Sequence, residues 1–413
     1  MAERAEHPDP HFWGEERRRL PRTSRPSFVV VAMLLAVGML VAGTIAGLVV
    51  LWPHGTPASG AALGTTHTDG AVVDSVRSVA CGDPGAPGCR RVTVTLTSGP
   101  RSGSRTAFTI MGQGSVLVLS AGDRIRVYRN AVPAGATSGP RVDPYSFSDF
   151  DRRKPLLWLG VAFVALLLVT ARFRGLRALL GLLASLVVIV VFVLPAIVDG
   201  SQPVAVAIVG ACTAMLLTMP LAYGLGPKMI AALLGTALSL FVAAGLADLV
   251  AGLAHLSGAA SEEMVYIAST QSTLSLRGLL IAGMVIGALG VLVDLTVSQS
   301  STVIALRRAN PSLRFRGLFN GALDVGHDHI SATVNTLVFA YAGATLPVLL
   351  IFAIGHTSFT DAVNGEAVAE ELVAALVGSI GLILSMPLTT ALAALLAERM
   401  SDDELGAADA HVH

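Results

Sequence analysis

Eight apolar runs, each at least about 17 residues long, decide what this chain can fold into. They cover Phe28–Trp52, Pro155–Ala171, Ala178–Val198, Pro203–Tyr223, Met229–Leu253, Gly278–Val297, Val334–Ile354 and Ala369–Leu396. A soluble core of this length has no use for that much apolar surface, whereas a bundle crossing a bilayer needs it. The composition agrees, with 53% hydrophobic and 14% charged residues and a mean hydropathy of +0.69. The expected fold is an all-α polytopic membrane bundle of about eight helices. A small extracytoplasmic β-barrel or sandwich-like domain is expected after the first helix.

Charge placement predicts the threading. Arg17, Arg18, Arg19, Arg22 and Arg25 precede the first run, which lacks a small-residue cleavage site and so reads as an uncleaved signal-anchor. In an eight-span threading these arginines share a side with Arg172, Arg174, Arg177, Lys228, Arg307, Arg308, Arg314, Arg316 and Arg399. Asp199, Glu262, Glu263, Asp361 and Glu366 take the other side, with Arg277 near a boundary. The excess of positive charge on cytoplasmic segments then puts both termini in the cytoplasm. A net charge of zero gives no general reason to bind nucleic acid.

The chain divides accordingly into a basic tail (1–27), the anchor (28–52), an extracytoplasmic segment (53–154), a seven-helix domain (155–398) and a C-terminal tail (399–413). Up to about Gly70 the extracytoplasmic segment is a Gly/Pro/Thr-rich linker. Beyond it, RRVTVTLTS, TAFTIMG, SVLVLS and DRIRVYR read as strands, and 132–151 returns to the membrane. Cys81 and Cys89 bracket the turn-rich GDPGAPG and suit a short disulfide outside the cytoplasm, whereas Cys212 lies alone in an apolar run.

Chemistry concentrates at two polar stripes. Asp324, Asp328, Ser331 and Asn335 follow steps of four, three and four and share one helical face, with His327 beside them. Asp294, Ser298 and Ser301 form a second stripe at the end of the sixth run. If the stripes meet across a connection of about 20–30 residues, they offer carboxylates, hydroxyls and an amide to a proton, Na⁺ or Mg²⁺. The bland alternative is that they bond one another and Arg307, Arg308, Arg314 or Arg316, as polar groups between helices often do. The triplet His327-Asp328-His329 is a weaker candidate for a transition metal, because His329 falls off the shared face. An intramembrane aspartyl protease is disfavoured, since GALD stands where a GxGD context is needed. LTMPL and LSMPL place Pro220 and Pro387 inside spans and read as ordinary kinks. Glu370 and Glu371, with Asp248, read as acids at the outer headgroups. No phosphate-binding loop, nucleophile elbow or zinc signature is present, so no enzyme activity is expected.

Three segments carry a family resemblance: VDLTVSQSSTVIALRRANP, GALDVGHDHISATVNTLVFAYAGATLPVLL and VGSIGLILSMPLTTALAALLAE. With them the chain resembles the YibE/F family of bacterial membrane proteins, over about Gly160 to Glu398 together with the β domain. The resemblance implies a multi-pass protein of the bacterial plasma membrane. Asp294, Ser298, Gln299, Asp324, His327, Asp328 and Asn335 match the family's polar pattern, and the resemblance assigns none of them a role. The expected function is transport or permease-like, coupled to a proton or metal cation, with no other cofactor. The alternative is a non-catalytic scaffold or envelope-stress component acting through the β domain. Expected partners are the bilayer, an extracytoplasmic partner of the β domain and a second copy of the chain, since GMVIGALG and GTALSLFVAAG allow close helix contact.

Overall fold

The computed structural model describes residues 28–55, 68–80, 89–110, 118–130, 143–270 and 274–400. Helices dominate, because long runs of Leu, Val and Ala flanked by Pro and Gly satisfy their backbone only within the segment. In order they are α1 (Phe28–Leu51), α2 (Arg153–Val188), α3 (Leu194–Val198), α4 (Pro203–Tyr223), α5 (Pro227–Leu253), α6 (Glu262–Thr270), α7 (Leu276–Ala309), α8 (Phe315–Ile354), α9 (Phe359–Asn364) and α10 (Glu366–Ala397). Pro203 and Pro227 stand in the first turns of α4 and α5, where a missing N–H costs nothing. Ser275 and Ser358 cap α7 and α9 through their hydroxyls.

Seven helical stretches among the described residues are long and apolar enough to cross a membrane. The eight apolar runs reduce to seven because Pro155–Ala171 and Ala178–Val198 lie in one stretch, Arg153–Val198. That stretch bends sharply at Arg172, whose φ of 49° and ψ of −129° are non-helical. A straight helix would hold residues eight apart about 12 Å from each other. Here a Cβ added to Gly175 would lie 2.6 Å from the Leu167 carbonyl oxygen, so the chain doubles back and only glycine fits. Further on, a π-helical turn at Ile189–Val193 precedes Pro195, relieving the crowding of its ring against the preceding turn.

The centre of the bundle is α5, α7 and α10, each packed on the other two. On α5, Ala231, Ala232, Gly235, Ala243, Ala244 and Ala247 are all buried. Small side chains let neighbouring backbones approach, which is how helices gain contact where lipid removes the hydrophobic incentive. Helix α4 packs against α2 and α7, α1 against α4, and α8 against α10. Helices α7 and α8 outrun their apolar segments and are joined by only residues 310–314, a tight hairpin rather than the longer loop expected. Arg307 closes that turn by donating to the carbonyls of Pro311 and Leu313, the latter at 2.7 Å.

Between α1 and α2 lies a five-stranded antiparallel sheet in the order β3-β2-β1-β4-β5. Its strands are β1 (Thr68–Val79), β2 (Cys89–Leu96), β3 (Arg105–Ile110), β4 (Arg124–Arg129) and β5 (Tyr145–Phe150). Val92, Val94 and Leu96 alternate inward and meet Ala71, Val73, Phe108, Ile125, Val127 and Tyr145 in one core. A register shift between Val73 and Ser75 bends β1, so that it serves both β2 and β4. The sheet curls into a half-barrel whose edges approach: the Asp143 carboxylate, just before β5, accepts from the Thr109 N–H on β3 at 2.7 Å. Occupying an edge N–H in this way blunts unwanted pairing. Arg152 donates to Asp149 at 2.6 Å and holds that carboxyl below the usual carboxylate range.

Two strands differ from expectation. β1 and β5 fall in segments read as a linker border and a return to the membrane. SVLVLS forms no strand over its described residues 118–120, although Leu119 is buried in the core. Cys89 is buried at the head of β2 and disulfide-bonded, while its expected partner Cys81 lies outside the described residues.

Candidate functional site

The inward face of α7 carries Leu292, Leu295, Thr296, Gln299, Ser300 and Val303, all buried. Asp294 and Ser298 therefore point away from the centre and are exposed, and Ser301 is half-buried. On α8 the inward row is Leu318, Ala322 and Gly326, at steps of four. Asp324, His327, Asp328, Ser331 and Asn335 lie on other sides of that helix and are exposed. The two stripes do not meet as a carboxylate cluster: among the described residues no group of three or more His, Cys, Asp or Glu side chains is placed to hold a metal.

One ionisable contact does cross the two helices, and it uses the histidine that spacing set aside. His329 Nε2 lies 3.8 Å from Asp294 Oδ2, with the imidazole 38% and the carboxylate 72% exposed to whatever surrounds the protein. The Nε2 atom itself is buried and makes no hydrogen bond among the described residues. Asp294 is about 27 Å along α7 from Leu276 at 1.5 Å per residue, a length close to that of an about 30 Å hydrocarbon layer. Ionisable groups on apolar helices pair with each other where lipid does not solvate them. Two of the four arginines that might have claimed the aspartates are engaged elsewhere. Arg307 caps the hairpin, and Arg314 Nη1 lies 3.5 Å from Glu398 Oε1.

Behind this pair runs a seam of neutral polar side chains that hydropathy does not reveal. The Thr236 and Thr296 hydroxyls share a 2.6 Å hydrogen bond between α5 and α7. Gln299 donates from Nε2 to the Ala322 carbonyl at 2.7 Å, tying α7 to α8. Gly326 permits that contact, since a Cβ there would fall 2.9 Å from Gln299 Nε2 and 2.3 Å from Met386 Sδ. Gly235 likewise admits Thr389 of α10, whose hydroxyl would lie 2.0 Å from an added Cβ. The hydroxyls of Ser239, Ser300 and Thr389 are buried without a hydrogen-bond partner among the described residues. Ser239 stands one turn from Gly235, and Ser300 one turn from Thr296, so the three orphan groups belong to one seam through α5, α7 and α10. Each costs about 1–3 kcal/mol if left unsatisfied. The available signal was the set of hydroxyls beside small residues, GTALS on α5 and MPLTT on α10, inside otherwise apolar runs.

At the opposite end of the bundle, Arg277 donates to the Asp248 carboxylate at 2.8 Å and to its carbonyl at 2.9 Å. Glu366 accepts from Ser257 Oγ at 2.7 Å and from the Gly258 N–H at 3.2 Å, fastening α10 to the turn after α5. Asp248 and Glu366 thus fasten helices at this end, and Glu370, one turn along α10 from Glu366, has a buried carboxyl oxygen without a hydrogen-bond partner among the described residues.

The family profile described as YibE/F-like protein matches residues 159–399. No curated protein and no solved structure matches the chain.

Proposed function

This chain belongs to the YibE/F-like family, and from that premise we propose that it is a multi-pass plasma-membrane protein that moves protons, alone or coupled to a small solute. The cross-helix pair Asp294–His329 carries this reading. An imidazole can take up a proton at one nitrogen and release one from the other, and a carboxylate beside it can receive or return that proton. The orphan hydroxyls of Ser239, Ser300 and Thr389 would continue the route inward as neutral donors and acceptors. A proton is favoured over Mg²⁺ because among the described residues one carboxylate and one imidazole meet here, whereas Mg²⁺ wants a near-octahedral oxygen shell. Asp324, His327, Asp328 and Asn335 would form a vestibule toward the cytoplasmic end that gathers the ion, with Ser298 and Ser301 along its α7 side.

The threading that goes with this reading has eight crossings, with the sharp bend at Arg172 as the turn between the second and third. Both termini and the bend would then face the cytoplasm, and the β domain the outside. Arg277, the cation on the acidic side, is neutralised by Asp248 and so does not oppose it.

Proteoliposomes with an entrapped pH-sensitive dye and an imposed membrane potential test the proposal. Asp294→Asn is expected to slow proton entry at least about tenfold, the scale of a lost 1.4 kcal/mol interaction, with unchanged protein incorporation. Removal of 56–151 is expected to leave flux intact. The scaffold reading predicts the reverse pattern, damage from the β-domain deletion and indifference to Asp294. Wild-type flux no faster than empty liposomes, or Asn variant flux equal to wild type, would overturn proton movement.

A further inference from the structure

The bend at Arg172 creates a cavity of about 420 Å³, lined by Arg174 and Arg177 from the leg after the bend and by Lys228 at the start of α5. Tyr223 supplies a phenol to the same wall, and among the described residues no carboxylate lines it. Leu167, Ala171, Ala178 and Ala222 make the remaining wall apolar. Arg177 and Lys228 take no ion pair among the described residues. The first turn of α5 also presents the positive end of a 27-residue helix.

We propose that this cavity seats the headgroup of an anionic phospholipid, its phosphate held by Arg177, Lys228 and Arg174 and its acyl chain laid along the apolar wall. The pieces fit one ligand. Guanidinium forks match phosphate oxygens two at a time, and a lysine adds a point charge. Basic pockets between spans at the cytoplasmic level are where lipid phosphates dock. The arginine-rich end of the bundle is that level in the threading above. The geometry is built rather than incidental, because the pocket exists only while Gly175 sits against the Leu167 carbonyl and Arg172 keeps its positive φ. The site shares no residue with the Asp294–His329 pair, although the Asp294 carboxylate lies within electrostatic reach of Tyr223 on the cavity wall, and the lipid titration below reads binding without reference to proton movement.

Native mass spectrometry of the purified full chain, titrated with phosphatidylglycerol or phosphatidylcholine, tests it. Arg177→Gln with Lys228→Gln should weaken phosphatidylglycerol binding about thirtyfold, which is about 2 kcal/mol at 1.4 kcal/mol per tenfold. Phosphatidylcholine binding should not change, and neither should phosphatidylglycerol binding by Arg152→Gln with Arg153→Gln, a control of equal charge loss at the far end of the first leg. Ala178→Phe, which fills the apolar wall and keeps every charge, should also weaken phosphatidylglycerol binding. That variant decides the matter should the double substitution not fold. Wild-type affinity in either pocket variant would overturn the proposal. So would displacement of the lipid by millimolar inorganic phosphate, which would mark a free-oxyanion site.

Discussion

Gly235→Leu is expected to break the bundle at its centre. Even the first added carbon would lie 2.0 Å from the Thr389 hydroxyl, 2.9 Å from its Cβ and 3.2 Å from its Cα. The side chain has no room to turn, because Thr389 is fully buried. The α10 backbone must therefore move away from α5. Overpacking usually costs about 1–3 kcal/mol, and a branched side chain against a backbone falls at or beyond the upper end. At about 2–4 °C per kcal/mol, the unfolding midpoint in detergent should fall by roughly 6–12 °C. Gly235→Ala should show a smaller fall, and adding Thr389→Gly should recover most of it by reopening the space. An unchanged midpoint for Gly235→Leu would mean that α5 and α10 do not approach as described.

The second large effect falls on the β domain. Ile125 is fully buried on β4 among Val73, Val94, Val127 and Phe108. Ile125→Ala should cost about 2–5 kcal/mol, the usual loss for an aliphatic side chain cut to alanine in a packed core. A single-core domain this small holds little reserve against such a loss. Limited proteolysis of membrane-inserted protein should then cleave within 68–150 at a protease level that leaves the wild-type domain whole. Equal resistance would show that the sheet does not rest on this core. Because the loss is confined to the domain, proton flux should survive it.

The spans were legible because a bilayer imposes a length on every apolar run, and α1, α4, α5 and α10 carry theirs close to the expected limits. What hydropathy marks is the lipid, not the end of the helix. Polar residues after Val297 and before Val334 left the apolar runs while the helices continued, to Ala309 on α7 and back to Phe315 on α8. The sharp bend was hidden because Arg172 looks like part of a cytoplasmic loop, and nothing in its neighbours announces a single positive φ.

The facing of the polar stripes was harder still. Asp324, Asp328 and Asn335 repeat at helical spacing, but so do Leu318, Ala322 and Gly326. The second row packs inward because its small members let α8 reach Gln299 and Met386. Small size decided the face, and charge did not. His329 reached Asp294 for the same reason: placing Gly326 inward swings His329 toward α7. In the β domain, Val92, Val94 and Leu96 were readable from strict alternation. β1 was not, because Asp69, Gly70 and the bulge before Ser75 interrupt its period.

The central claim is that Asp294 and His329 act as one unit, and a double-mutant cycle on proton flux tests it most directly. Asp294→Asn, His329→Gln and the two together are compared with wild type in the same liposomes. If the pair works as a unit, either single change removes the effect and the double variant is no slower than the slower single. Losses that multiply, so that the double variant slows by the product of the singles, would show two independent residues and contradict the account.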